Sequence, residues 1–122
     1  AHPVAGDVQA NLKRAKQWLK WLQESRDYPV TIIAPWITGV EIWNEEDPVD
    51  RELGLQHCTR VISSCDELYL VGGVISSGMK REMMHAIKHN KTIVDLTQMG
   101  KYAPTCENYK QTVFDFNMGG EE

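Results

Sequence analysis

The stretch Val71-Gly-Gly-Val-Ile-Ser-Ser-Gly-Met-Lys-Arg-Glu-Met-Met-His-Ala86 decides how the rest of the chain is read. Ahead of it, Glu67-Leu-Tyr-Leu-Val71 is a short apolar run that predicts a buried strand. Behind it, a helical pattern to about residue 90 carries one acid, Glu82, in its first turns. Between them lie three glycines and two serines, which let a backbone approach a ligand closely and offer it hydroxyls. A strand that opens through a Gly/Ser loop into a helix N-terminus makes a site for an anion or a sugar.

Helical geometry sets the expected place of Glu82. Residues advance about 100° per position, so Met79, Met83, Ala86 and Ile87 define the buried side and Glu82 lies on its shoulder. A capping box for Glu82 needs Ser or Thr three residues earlier; position 79 is Met, so Ser76 and Ser77 are out of register. Glu82 is therefore expected half-buried beside the loop, where a carboxylate can attack an anomeric carbon or orient sugar hydroxyls. Ser76, Ser77 and the amides of Gly78 and Met79 are the expected holders of a phosphate, with Gly73 at the strand end beside them. A purely structural loop fits the same residues, and residue chemistry alone leaves both readings open.

Working outward, Val8, Leu12, Ala15, Leu19 and Leu22 repeat at helical spacing and predict a helix over residues 7–25, with Asp7 as N-cap and Tyr28-Pro29 as its end. Trp18 and Trp21 flank that stripe as packing residues. The β-branched residues 30–34 read as a central strand stopped by Pro35. Residues 36–47 then read as a loop, in which Trp36 and Trp43 can wall a pocket for a flat base. Asp47-Pro48 is a helix start, and the helix runs to about residue 64 with Leu53, Cys58, Val61 and Ile62 inward. Residues 92–95 are a further strand.

This order predicts an α/β fold, a Rossmann-like (flavodoxin-like) parallel sheet with helices on both faces. Ligands of such sheets bind beyond the carboxyl ends of the strands, which is where the Gly/Ser loop falls. The opening Ala1-His-Pro-Val-Ala-Gly-Asp7 reads as a loop following a strand, so either a first strand lies ahead of Ala1, which is the expectation, or the fold starts without one. One domain is expected over residues 1–98. Residues 99–122, with Tyr102, Tyr109, Phe114 and Phe116 at no clear period, are expected to form a lid, a subunit contact or a partly disordered tail.

Composition narrows the function. The 122 residues carry a formal charge of −4, and Lys13-Arg14-Ala15-Lys16 is the one basic run, so no nucleic-acid partner is expected. No apolar segment approaches the ~20 residues that span a bilayer, so no membrane partner is expected either. Cys58, Cys65 and Cys106 form an odd set without metal-type pairing, which reads as reduced thiols in a cytoplasmic protein. His85 and His89 are four apart but no third ligand joins them, so they read as surface histidines and no metal is expected.

At Asp47-Pro48, Arg51-Glu-Leu-Gly-Leu55, Cys65-Asp-Glu-Leu68 and Val74-Ile-Ser-Ser-Gly-Met-Lys-Arg-Glu82, the chain resembles the nucleoside 2-deoxyribosyltransferase-like superfamily, closest to its uncharacterised small bacterial and phage branch. The likeness spans about residues 1–98, and the front loop with His2, Pro3 and Gly6 resembles that superfamily's first strand-end loop. It implies that Glu82 is the nucleophile on C1′ and that Ser76 helps hold a 5′-phosphate, as in the superfamily's nucleotide hydrolases. It also implies a homo-oligomer in which a neighbour completes each pocket. The superfamily's deoxyribosyltransferases and its nucleotide hydrolases both carry an Asp eight residues before the position of Asp66; this chain has Cys58 there, and Arg51 or Glu52 on earlier turns is the candidate replacement. The expected function is an N-glycosidase that cleaves the base–sugar bond of a nucleotide or deoxynucleotide, with Trp36 bordering the base. It uses no organic cofactor. The alternative is a non-catalytic binder of a nucleotide or nucleotide-derived signal, which the missing acid favours; a weaker third reading is an interaction module.

Overall fold

Asp7 starts the first helix because its carboxylate accepts from the Ala10 amide at 3.1 Å, and the preceding Asn11-facing turn is tied by Asn11 Nδ2 donating to the Val4 and Ala5 carbonyls. The computed structural model describes residues 1–104. In it α1 spans Val8–Ser25, α2 Pro35–Ile42, α3 Pro48–Ile62, β1 Glu67–Leu70, α4 Ser77–Lys88 and β2 Thr92–Asp95, followed by a 3₁₀ turn at Thr97–Met99. Helix α3 begins as the Asp47-Pro48 pair dictates: Asp47 Oδ1 accepts from Val49 at 2.8 Å and from Asp50 at 3.4 Å, and Pro48 needs no donor in the first turn.

The molecule is a mixed α/β fold. Strands β1 and β2 pair in parallel, with Glu67 opposite Thr92 and Leu70 opposite Asp95, and α4 makes the crossover between them. Alternation along β1 sends Leu68 and Leu70 to one face, where Ile62 of α3 and Met79 and Ala86 of α4 cover them. Tyr69 and Val71 go to the other face, against Trp18 and Leu22 of α1. A third cluster, Leu12, Ala15, Trp36 and Cys58, joins α1, α2 and α3 above the strand ends. Among the described residues no helix is long and apolar enough to cross a membrane.

Several expectations are corrected. Residues 30–34 are not a strand. They run without a paired strand, and Gln23 of α1 supplies the bonds that a neighbour would, accepting from Ile32 N at 2.9 Å and donating to Val30 O at 2.6 Å. The sheet thus has two strands among the described residues. Residues 36–47 are not simply a loop, because Pro35 at a first-turn position opens α2. On the inward faces, Leu53 of α3 and Ile87 of α4 are exposed. Residues 105–122, with Cys106, Tyr109, Phe114 and Phe116, lie outside the described residues.

Candidate functional site

The turn between β1 and α4 exists because Gly72 and Gly73 adopt φ of +103° and +87°, a region that a side chain disfavours. Gly72 has a second constraint. A Cβ there would lie 2.8 Å from His2 Cδ2 and from Pro3 Cδ, so its bareness lets the front loop sit on the end of β1. Gly73 packs instead against the backbone of Gly100 and Lys101.

Beyond the turn, Ser76 caps α4. Its hydroxyl accepts from the Met79 amide at 3.3 Å, and its own amide donates to Met79 Sδ at 3.5 Å, so a box-like reciprocal cap forms with Met at the position that Glu or Gln usually fills. The out-of-register reading holds for Glu82 but not for Ser76, which is the cap. The Met79 amide is therefore occupied, and Ser77 and Gly78 provide the remaining first-turn donors.

Next to this helix end lies a cavity of about 70 Å³. Its wall brings together Glu82, Ser76, Ser77, Gly78, Met79, His2, Trp36 and Arg51, as the sequence-based reading grouped them. Pro3, Gly6 and Gly73 do not line it; Pro3 lies against Gly72, and Gly6 is an exposed left-handed turn residue with φ +96°. Trp43 is also elsewhere. It stands edge-on to His57, with its ring at the bare Cα positions of Gly39 and Gly54, where it packs α2 on α3.

Glu82 is half-buried, and burial pushes its carboxyl up from the ordinary value, partly offset by the charge of the Ala1 amino group. Cys58 sits where an acid was expected. Burial, and then the Glu82 charge, push its thiol up to about 12, so it stays protonated at neutral pH and supplies no charge. Of the two proposed replacements, Arg51 lines the cavity, whereas Glu52 faces away in a bidentate pair with Arg81 at 2.8 Å.

One feature was not visible in the sequence. Glu45, just beyond α2, lines the cavity and reaches across buried Gly54, with Oε1 3.9 Å from where a Cβ would stand. It is a second carboxylate brought in from a different element. His2, expected at the site from the front loop, is only 5% exposed and stacked on Trp36 with ring centroids 6.1 Å apart. Its Nδ1 lies 2.7 Å from the Pro3 carbonyl, which can only accept, so Nδ1 carries the proton. Burial lowers the histidine pKa, leaving Nε2 a bare acceptor with no protein partner. His85 of α4 and His89 just beyond its end lie with ring centroids 4.4 Å apart and planes tilted by 45°, and no group of three metal-ligating side chains occurs among the described residues.

A family described as a domain of unknown function (DUF7768) matches residues 1–96. No curated protein and no solved structure matches the chain.

Proposed function

The chain belongs to the DUF7768 family, and we propose that the cavity at the end of β1 binds the sugar of a nucleotide or nucleoside and that Glu82 cleaves its N-glycosidic bond. The observation that carries this reading is convergence. A desolvated carboxylate, a buried histidine acceptor, a second carboxylate and an arginine meet at one helix N-terminus. Ionised Glu82 attacks C1′; the base leaves with the electron pair of the broken C–N bond and takes a proton. Water then hydrolyses the glycosyl ester, releasing the sugar and restoring the carboxylate. In this scheme His2 Nε2 accepts from a sugar hydroxyl, Glu45 takes the positioning place vacated by Cys58, and Arg51 with the Ser77 and Gly78 amides holds a phosphate. At about 70 Å³ the cavity is well under the ~300 Å³ of a pocket for a whole small ligand, so it takes the sugar while base and phosphate lie across its rim.

The parallel β1–α4–β2 unit, covered on both faces, supports a Rossmann-like arrangement, and we extend the same reading to a cytoplasmic homo-oligomer. Incubation with a panel of nucleotides and nucleosides, with free base assayed, tests the reading. Base release is expected for at least one member and none from Glu82→Gln. Release at the wild-type rate by that variant sinks it. One observation favours a second reading: the neutral Cys58 thiol leaves the site without its expected acid, which suits a binder that returns its ligand uncleaved.

A further inference from the structure

Three hydrogen-bond acceptors without a donor reach the cavity from three separate parts of the chain. Glu82 comes from α4, Glu45 from the connection between α2 and α3, and His2 from the front loop. Among the described residues no group donates a hydrogen bond to either carboxylate. His2 Nε2 is buried and unpartnered, on a side chain only 5% exposed. Burial, and then the charges of Glu82 and Glu45, push the Cys58 thiol up, so both carboxylates lie within electrostatic reach of that one residue. A buried acceptor left without a donor is costly, and three of them specify a ligand that brings donors of its own. A single metal ion does not fit, because among the described residues no three ligating side chains come close enough together to hold one. The acceptors are spaced for a wider ligand with several hydroxyls.

We propose that the sugar taken by this cavity is a ribose rather than a 2-deoxyribose, its 2′,3′-diol donating to the acceptors that Glu82, Glu45 and His2 present. The proposal rests on the glycosidase reading and adds the identity of the sugar to it. Stereochemistry supports it. In a β-ribonucleoside both hydroxyls lie on the ring face opposite the base, which is the face from which Glu82 approaches C1′ to displace the base. When one Glu82 oxygen attacks C1′, the other lies beside the substituent on C2′, where a hydroxyl donates to it. Glu45 and His2 then meet the 3′-hydroxyl, the next donor along the ring. A 2-deoxyribose leaves a desolvated carboxylate oxygen unpaired, and a site built to bond a hydroxyl rejects the analogue that lacks it.

The test is calorimetric binding of C-nucleoside 5′-monophosphates to the wild-type chain. Their base is joined by a carbon–carbon bond that the proposed cleavage cannot break, so affinity is read without turnover. A uracil-type and a purine-type base are each compared as the ribose, 2′-deoxyribose and 3′-deoxyribose forms. For at least one base the ribose form is expected to bind about tenfold or more tightly than either deoxy form, as for hydrogen bonds to charged acceptors. Glu45→Ala is expected to narrow the gap between ribose and 3′-deoxyribose to about threefold or less with Tm unchanged, and Glu45→Gln, which keeps an acceptor oxygen, to recover part of it. Equal affinity for ribose and 2′-deoxyribose, or tighter binding of 2′-deoxyribose, overturns the proposal and leaves the glycosidase reading standing. A 3′-hydroxyl gap that survives Glu45→Ala in the folded protein overturns it too. Binding of none of these ligands overturns the sugar site itself, and the proposal with it.

Discussion

Glu82 shows how burial and reactivity oppose each other at one residue. Its carboxyl is held above the ordinary value, so the folded state binds its proton more tightly than the unfolded chain does. The stabilisation from that proton is complete below the unfolded pKa, about 4.3, and is lost as pH rises through the higher folded value. Glu82→Gln is therefore expected to raise Tm by a few degrees at pH 7, a gain that disappears below pH ~4, while base release is lost. Melting curves across that pH range check the sign; a fall in Tm at pH 7 contradicts it. Under the proposed cleavage, which needs ionised Glu82, the acidic limb of the pH–rate profile is expected above the ordinary carboxylate range. Gly72→Ala probes the same corner without touching charge. Its positive φ and a Cβ at 2.8 Å from two side chains make a cost of about 2–3 kcal/mol the expected result, read from urea unfolding, with His2 displaced from Trp36.

At the scale of elements, caps decide much of the outcome. Asp47→Ala removes an acceptor of two first-turn amides on α3 and is expected to cost about 1 kcal/mol while leaving ligand binding intact, because Asp47 does not line the cavity. Glu52→Ala cuts the tie between α3 and α4 and is expected to leave base release at the wild-type rate, since Glu52 points to Arg81 and away from the cavity. If turnover falls in Glu52→Ala, Glu52 is the replacement acid after all. The legible elements are those with local signals. Asp7, Asp47 and the apolar spacing announce α1 and α3; the run Glu67–Leu70 and the Gly/Ser turn announce β1 and α4. Residues 30–34 have strand composition, but a strand also needs a partner, and the partner is not encoded in those five residues. Helix α2 was hidden because Pro35 reads equally as a strand's end and a helix's first turn. For the site, Glu82 and the Ser76–Met79 turn were legible because they share one stretch of chain. Glu45 was not, since it reaches the cavity only through close packing at Gly39 and Gly54.

Across the whole molecule, stability and site lie on different faces of the sheet. Trp18 is fully buried between Leu22, Tyr69 and Val71, and its Nε1 donates to the Lys101 carbonyl at 3.1 Å, fastening α1 to the chain that follows β2. Trp18→Phe removes that hydrogen bond and shrinks the ring. The lost bond contributes about 1 kcal/mol and the smaller ring a similar amount or more. At roughly 3–5 °C per kcal/mol for a domain of this size, Tm is expected to fall by about 6–10 °C or more. The cavity is formed from α2, α3, α4 and the front loop, and Trp18 does not line it. Ligand affinity measured well below the lowered Tm should therefore match wild type. An affinity loss at a temperature where the variant is still folded would mean that the α1 face and the cavity are coupled, with the groove that Trp18, His2 and Glu82 all line as the route between them.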